Sequence, residues 1–168
     1  MTAPLEITDD LLVSELWARD VRFVLGSKPD RPPMLSPAAL IIALAESREA
    51  RLQLSLIPLF LCHPEFAAHV MDAVKKLDPA NQLMLKFFYS AAVWLERKHL
   101  SEHKLPDLFS QELEISPVPD PEENLRVLAL QQKKMVNSRI NWLDTYRHAA
   151  DIWLKDLELQ KLHGQAKT

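Results

Sequence analysis

Glycine is the residue that this sequence most clearly lacks. Only Gly26 and Gly164 occur in 168 residues, whereas average usage of about 7% would give roughly a dozen. Phosphate-binding loops, dinucleotide fingerprints and nucleophile elbows each need several glycines at fixed spacing, because their backbone bends tightly or approaches a ligand closely. The sequence therefore excludes these motifs, and we expect no nucleotide cofactor.

Cysteines and long apolar runs are also scarce. The single cysteine, Cys62, has no partner for an internal disulfide. The first ten residues, MTAPLEITDD, lack the apolar core of a secretory signal. Lys86 interrupts the longest apolar run before it reaches the roughly 18 residues of a membrane span. We therefore expect a cytoplasmic protein of prokaryotic or organellar source, without a membrane association.

Neither sign of charge dominates the chain. Its 20 Lys and Arg residues and 23 Asp and Glu residues give a formal net charge of −3. This balance argues against a protein that coats nucleic acid or an acidic membrane. The apolar fraction of 48% and the charged fraction of 26% are typical of a globular protein. We expect one domain over residues 1–168.

The most apolar stretch predicts the centre of the fold. Between Leu83 and Leu95 only Lys86 and Ser90 are polar, and their spacing of four places them on one stripe of a helix. A helix that is apolar almost all round must be covered by other helices. The prediction is an all-α fold, a single compact bundle of about six or seven helices around a central helix at 79–103.

Capping residues predict where the other helices begin. Four starts carry a polar cap, followed in three cases by proline: Thr8, Ser36–Pro37, Asp78–Pro79 and Asp120–Pro121. The first helix is expected to continue to Leu25 and to end at Gly26, with outward side chains at Glu15, Arg19 and Arg22. Pro58 predicts a kink or a new helix, and Pro64 predicts a boundary at His63 followed by a helix to Leu77.

The C-terminal part of the chain predicts a crossover and a long last helix. Residues 106–123 hold four prolines and six acidic residues without Lys or Arg. We expect a packed crossover with an acidic face and a short helix, held by Leu108, Phe109, Leu113 and Ile115. The last helix, over 139–163, is expected to pack on the central helix. Gly164 should end it, leaving residues 165–168 as a frayed tail.

A polar cluster at the end of the central helix offers one set of metal ligands. Glu96 and His99 have the spacing used in carboxylate-bridged di-metal bundles, and His99 and His103 would lie one turn apart. A metal-binding helical bundle using Glu96, His99 and His103 is therefore one hypothesis. A charged and solvated helix end is the other interpretation of these residues.

The same cluster contains a spacing typical of nucleases. Arg97 and His103 are separated by five residues, which resembles the Arg and His pair near the end of a bundle helix in small ribonucleases of the HEPN class. The resemblance implies that Arg97 would bind phosphate and that His103 would assist proton transfer at the ribose 2′-OH. The alternative is again a charged helix end.

Two other kinds of reactive or stacking residue are predicted to be structural. Cys62 follows an apolar segment, so we expect a buried and inert thiol. The four tryptophans lie among other apolar residues and should belong to the core: Trp17, Trp94, Trp142 and Trp153.

Three segments carry a further resemblance. They are LIPLFLCHPEFAAHV at 56–70, LKFFYSAAVWLERKH at 85–99 and NWLDTYRHAADIWL at 141–154. They resemble small all-helical bacterial proteins that are often encoded beside minimal nucleotidyltransferases. The resemblance implies an accessory protein that binds a partner, and it carries no functional residue. We therefore expect a non-enzymatic interaction protein, bound to a protein partner or to a second copy of itself.

Overall fold

Every regular element in the described part of the chain is a helix. The computed structural model describes residues 6–166, with side chains up to residue 162. The helices are α1 (Asp9–Ala18), α2 (Pro37–Glu46), α3 (Ala50–Leu54), α4 (Leu56–Cys62), α5 (Val70–Lys75), α6 (Pro79–His99), α7 (Pro121–Val136) and α8 (Trp142–Ala166), and a 3-10 helix, Pro64–His69, lies between α4 and α5.

The four predicted helix starts are confirmed. In each case the side chain of the residue before the helix accepts a backbone N–H of the first turn, which supplies a partner that the helix itself cannot provide. The caps are Thr8 for α1, Ser36 for α2, Asp78 for α6 and Asp120 for α7. Local signals in the sequence therefore determine where these helices begin.

The α6 helix is the centre of the bundle, as predicted. Its side chains from Phe87 to Glu96 are all buried, and α7, α4, α2 and α5 pack around it. The all-α bundle is confirmed. The helix ends at His99 and not at His103, because Leu100 adopts an extended backbone conformation and the chain then turns back toward Glu96.

The α8 helix runs parallel to α6 with aromatic rings between them. Trp142 packs edge-on against Phe88 with ring centroids 5.9 Å apart, and Trp153 meets His99 at 6.2 Å. The two contacts are eleven residues apart on each helix, which corresponds to about 16 Å at 1.5 Å per residue. The two helices therefore run in the same direction. The main backbone contacts of α8 are with α7 and α4.

The C-terminal end of α8 differs from the prediction. The helix begins at Trp142, and it continues past Gly164 to Ala166. The prediction that Gly164 ends the helix is therefore wrong. Of the expected frayed tail, residues 167 and 168 lie outside the described part of the chain.

The first helix is shorter than predicted. It ends at Ala18 because the chain reverses at Asp20, whose φ of 61° is left-handed. The reversal brings Val24 back to α1, where its carbonyl accepts the indole N–H of Trp17 at 2.9 Å. Gly26 does not end a helix. An added Cβ there would lie 2.6 Å from the Trp17 indole nitrogen, so the glycine permits close packing.

Helix boundaries lie near both Pro58 and Pro64, as the two prolines predict. A new helix, α4, begins just before Pro58, so this proline lies in a first turn, where its missing N–H is not needed. The predicted boundary at His63 is confirmed, because α4 ends immediately before this residue. The following segment differs from the predicted single helix, because residues 64–69 form a 3-10 helix before α5. Its predicted inner stripe is nevertheless buried: Phe66, Val70, Val74 and Leu77.

The crossover between α6 and α7 is packed without the short helix that we expected. Residues 110–114 form turns, and the predicted apolar anchors are buried at Phe109, Leu113 and Ile115 and half-buried at Leu108. The hydroxyl of Tyr89 donates to the carbonyl of Pro106 at 2.6 Å. Side-chain and backbone hydrogen bonds thus replace helical ones along this segment.

Within residues 6–166, none of the helices is by itself both long and apolar enough to cross a bilayer. The sharply bent pair Ala50–Cys62 and Pro64–Lys75 meets the length and composition criteria only when its two halves are taken together.

Candidate functional site

Glu96, a predicted metal ligand, is a buried structural carboxylate. It is 1% exposed, and its Oε1 atom accepts the backbone N–H groups of Lys104 at 2.8 Å and Leu105 at 2.9 Å. A buried carboxylate needs such donors to offset the loss of its hydration. Glu96 therefore holds the start of the crossover against the end of α6.

The two predicted nuclease residues are separated by the end of the helix. The guanidinium of Arg97 stacks over the ring of Trp94, 4.7 Å from its centroid. His103 lies four residues beyond the end of α6, is exposed, and contacts the carbonyl oxygen of Leu100 through Nε2 at 3.1 Å. Arg97 therefore lies in the last turn of α6 as expected, whereas His103 lies outside the helix, so the two residues lack the shared helical spacing on which the resemblance depended.

His99 does not share a helix face with His103, so the predicted one-turn spacing is wrong. Partial burial beside Trp153 and the neighbouring Lys98 lower the pKa of His99, although Asp151 and Glu122 act in the opposite direction. Among the side chains that the structure describes, no three His, Cys, Asp or Glu residues converge in an arrangement suited to a metal ion.

An ion-pair bridge beside His99 joins three helices, and sequence reasoning missed it. Glu122 accepts from Lys98 of α6 and from Arg147 of α8, each at 2.5 Å. These two hydrogen bonds lower the pKa of Glu122. The bridge gives the end of α6 a structural role, because it holds α6, α7 and α8 together at the surface.

Glu15 is a second buried carboxylate, and the predicted outward positions of Glu15 and of Arg19, whose side chain is 9% exposed, are wrong. Its side chain is fully buried. It accepts from Arg31 at 2.9 Å, from the backbone N–H of Met34 at 2.8 Å and from that of Leu35. Burial raises its pKa, but these donors together with Arg19 hold the pKa below its usual value. The sequence feature that could have indicated this role for Glu15 is the proline-rich loop before α2, because the few backbone N–H groups of that loop need acceptors from elsewhere in the fold.

Of the remaining reactive and aromatic residues, three tryptophans are buried as predicted, whereas Cys62 and Trp17 are only half-buried. Burial raises the pKa of the half-buried Cys62 thiol to about 12, so the thiol stays protonated near neutral pH. Trp94, Trp142 and Trp153 are buried, and Trp17 is half-buried.

A groove at the turn between α7 and α8 is the most distinctive open surface. It consists of two adjoining hollows of about 220 Å³ and 170 Å³, which share Ile140 and Trp142. We call it the α7–α8 groove. Its apolar lining includes Leu54, Met84, Phe88, Leu130, Ile140 and Trp142. Leu130 is 57% exposed and Ile140 is 50% exposed.

The charges around the α7–α8 groove have one sign. Arg126, Lys133 and Arg139 line one hollow and Arg51 lines the other, and no acidic residue is among the described lining residues. Arg126 pairs with Glu123. The other three cations form no ion pair with any described residue. The described lining of this surface is therefore apolar and basic, without an acidic residue.

Trp142 lies at the junction of the two hollows and contributes an unsatisfied donor. The residue is 7% exposed, and its indole Nε1 has no hydrogen-bond acceptor among the described residues. A buried N–H without a partner is uncommon in native proteins. The open surface of the groove is thus apolar and positively charged, and this buried nitrogen is not part of it.

A larger hollow lies between α1 and α2. Its volume is about 530 Å³, and Asp9, Glu46 and Arg48 lie on its rim. Ile7 and Leu12 are among its apolar lining residues. The mixed charges give this hollow no clear preference for one class of ligand.

No protein-family model, curated protein or solved structure matches this chain.

Proposed function

We propose that this protein is a non-enzymatic interaction protein whose binding surface is the α7–α8 groove. The observation that carries the proposal is the exposure of Leu130 and Ile140, which line the same hollow of that groove. Exposed apolar side chains that line a concave surface are typical of protein-binding sites. The accessory role implied by the resemblance to small helical bacterial proteins is consistent with this proposal.

The internal contacts at the end of α6 also favour a binding role over the predicted chemistries. Glu96 holds backbone N–H groups, Arg97 covers Trp94, and Glu122 is paired with two cations. A catalytic acid, base or phosphate ligand must instead face a substrate position. Glu96, Arg97 and Glu122 are accounted for by these internal contacts, whereas His103 is exposed beyond the end of α6.

The division of the groove into two small hollows favours the side chains of another protein over a single small-molecule ligand. Each of its two hollows is smaller than the roughly 300–1,000 Å³ of typical ligand pockets. A pair of adjoining hollows of this size suits two apolar side chains of one partner segment, as in helix-in-groove recognition.

The proposal is tested by recovering the tagged full-length protein from its native cells after mild crosslinking and identifying the companion chains. Light scattering on the purified protein tests self-association in parallel. We expect one reproducible companion, or a defined dimer, that is lost in the variant Leu130→Asp and retained in Met71→Asp, since Met71 is also exposed but lies on α5. A monodisperse monomer without a companion would contradict the proposal.

A further inference from the structure

We infer that the occupant of the α7–α8 groove is an acidic, amphipathic segment of a partner protein. The inference rests on the proposed function and specifies its partner. Apolar side chains of the segment would enter the two hollows, and its carboxylates would face Lys133, Arg139 and Arg51.

Charge complementarity is the first argument for this occupant. Four cations and no described acidic residue line the groove, although the chain as a whole has more acidic than basic residues. Three of these cations have no carboxylate partner in the described structure, so they can bind an incoming anion without first breaking an internal ion pair. Complementary charge of this kind determines which partner is accepted and speeds association.

The spacing of residues on α7 is the second argument. Arg126, Leu130 and Lys133 follow one another at intervals of four and three, so they form one stripe along the helix beside Ala129. A stripe that alternates cation, apolar residue and cation matches a helical segment that presents acidic and apolar residues at the same spacing. Arg139 and Ile140 continue this pattern across the turn to α8.

The concave shape favours a peptide segment over an anionic membrane surface. Leu130 and Ile140 line hollows, whereas residues that insert into a bilayer lie on the apolar face of a helix parallel to the membrane plane. The overall charge of −3 also opposes binding to an anionic surface. A membrane is therefore treated as a competing outcome of the experiment.

The experiment measures fluorescence anisotropy with a labelled helical peptide. The peptide carries leucine at alternating intervals of three and four and glutamate at its other exposed positions, and a matched peptide carries lysine in place of glutamate. We expect the glutamate peptide to bind, the lysine peptide not to bind, and added NaCl to weaken the binding. Equal binding of the two peptides, or no binding of the glutamate peptide, would overturn the inference.

Charge-reversal variants locate the binding site. The double variant Lys133→Glu/Arg139→Glu should weaken binding about tenfold or more. The matched control Lys75→Glu/Lys76→Glu changes the net charge equally, on exposed lysines at the end of α5, and should change affinity by less than about twofold. Equal losses in the two variants would show a non-specific charge effect and contradict the inference.

Two further measurements distinguish the predicted peptide contact from a change in folding and from binding to a membrane. The Trp142 indole N–H resonance should shift on addition of the glutamate peptide because Trp142 lines both hollows, whereas that of Trp17, which lines neither hollow and donates to Val24, should not. Vesicles of phosphatidylcholine and phosphatidylglycerol should bind more weakly than the peptide, and tighter vesicle binding would overturn the inference. A native companion whose binding survives Lys133→Glu/Arg139→Glu would leave the proposed function standing and reject the acidic partner.

Discussion

The Oε1 atom of Glu96 accepts the backbone N–H of Leu105 at 2.9 Å, across the end of the central helix. The same oxygen accepts the N–H of Lys104. Glu15 holds the adjacent N–H groups of Met34 and Leu35 in the same way. In both places a buried carboxylate near the C-terminal end of a helix fixes the loop that follows, which explains how these loops remain ordered without helical hydrogen bonds of their own.

Removing the carboxyl group of Glu96 should destabilise the fold. In Glu96→Leu the backbone N–H groups of Lys104 and Leu105 lose their acceptor, and we expect the free energy of unfolding to fall by about 1–3 kcal/mol. Urea denaturation measures this change. The control Glu102→Gln alters a side chain that is 82% exposed and should stay within about 0.5 kcal/mol of wild type. Equal stability of Glu96→Leu and wild type would contradict the structural role of Glu96.

Glu15 should make the protein sensitive to acid. Its pKa is lower in the folded protein than in the unfolded chain, so its contribution is present above the unfolded pKa of about 4.3 and is lost as the pH falls through the folded pKa. The variant Glu15→Gln should therefore be less stable than wild type at neutral pH, and the difference should shrink as the medium becomes more acidic. Urea denaturation over a pH series measures both effects, and a difference that is constant with pH would contradict this account.

Substitutions of Tyr146 and Gln132, whose side chains form a buried hydrogen bond, should have non-additive effects on the free energy of unfolding. The tyrosine hydroxyl donates to the Gln132 side-chain oxygen, and the Gln132 amide contacts Met84 at 3.7 Å. Tyr146→Phe leaves Gln132 unsatisfied and should cost about 1–3 kcal/mol. The double variant Tyr146→Phe/Gln132→Leu should cost less than the sum of the single variants, by about 0.5–3 kcal/mol. Additive losses in thermal or urea unfolding would rule out a direct interaction.

Replacing Gly26 even by alanine should destabilise the fold. In Gly26→Ala the added Cβ would lie 2.6 Å from both the Trp17 indole nitrogen and a Val13 methyl carbon, so the indole must move away from its hydrogen bond to Val24. We expect a loss of about 1–3 kcal/mol together with a change in tryptophan fluorescence. The exposed neighbour Ser27 provides the control variant Ser27→Ala, and indistinguishable behaviour of the two variants would contradict the predicted clash.

Much of the fold could be predicted because its signals are local. The caps Thr8, Ser36, Asp78 and Asp120 lie beside the N–H groups that they bind, and the apolar run of α6 requires burial whatever its neighbours are. The wrong predictions concern side chains whose position depends on a contact with residues distant in the sequence. Glu15 and Glu96 look like surface carboxylates in the sequence, since only the folded loops bring Leu35 and Leu105 to them.

The α7–α8 groove could not be predicted for a related reason. Leu130, Ile140 and Arg51 belong to three separate elements, and no pattern within a single helix relates them. Their apolar and basic character was visible in the sequence. Their convergence depends on how α3, α6, α7 and the start of α8 pack together.

The most direct test of the binding role is photo-crosslinking inside the native cell. A photoreactive phenylalanine analogue is placed at Leu130 in the groove and, in a matched variant, at Met71, which is similarly exposed on α5. We predict one reproducible crosslinked product from Leu130, either with another protein or with a second copy, that is absent from Met71. No product from Leu130, or the same products from both positions, would contradict the assignment of the groove as a binding surface.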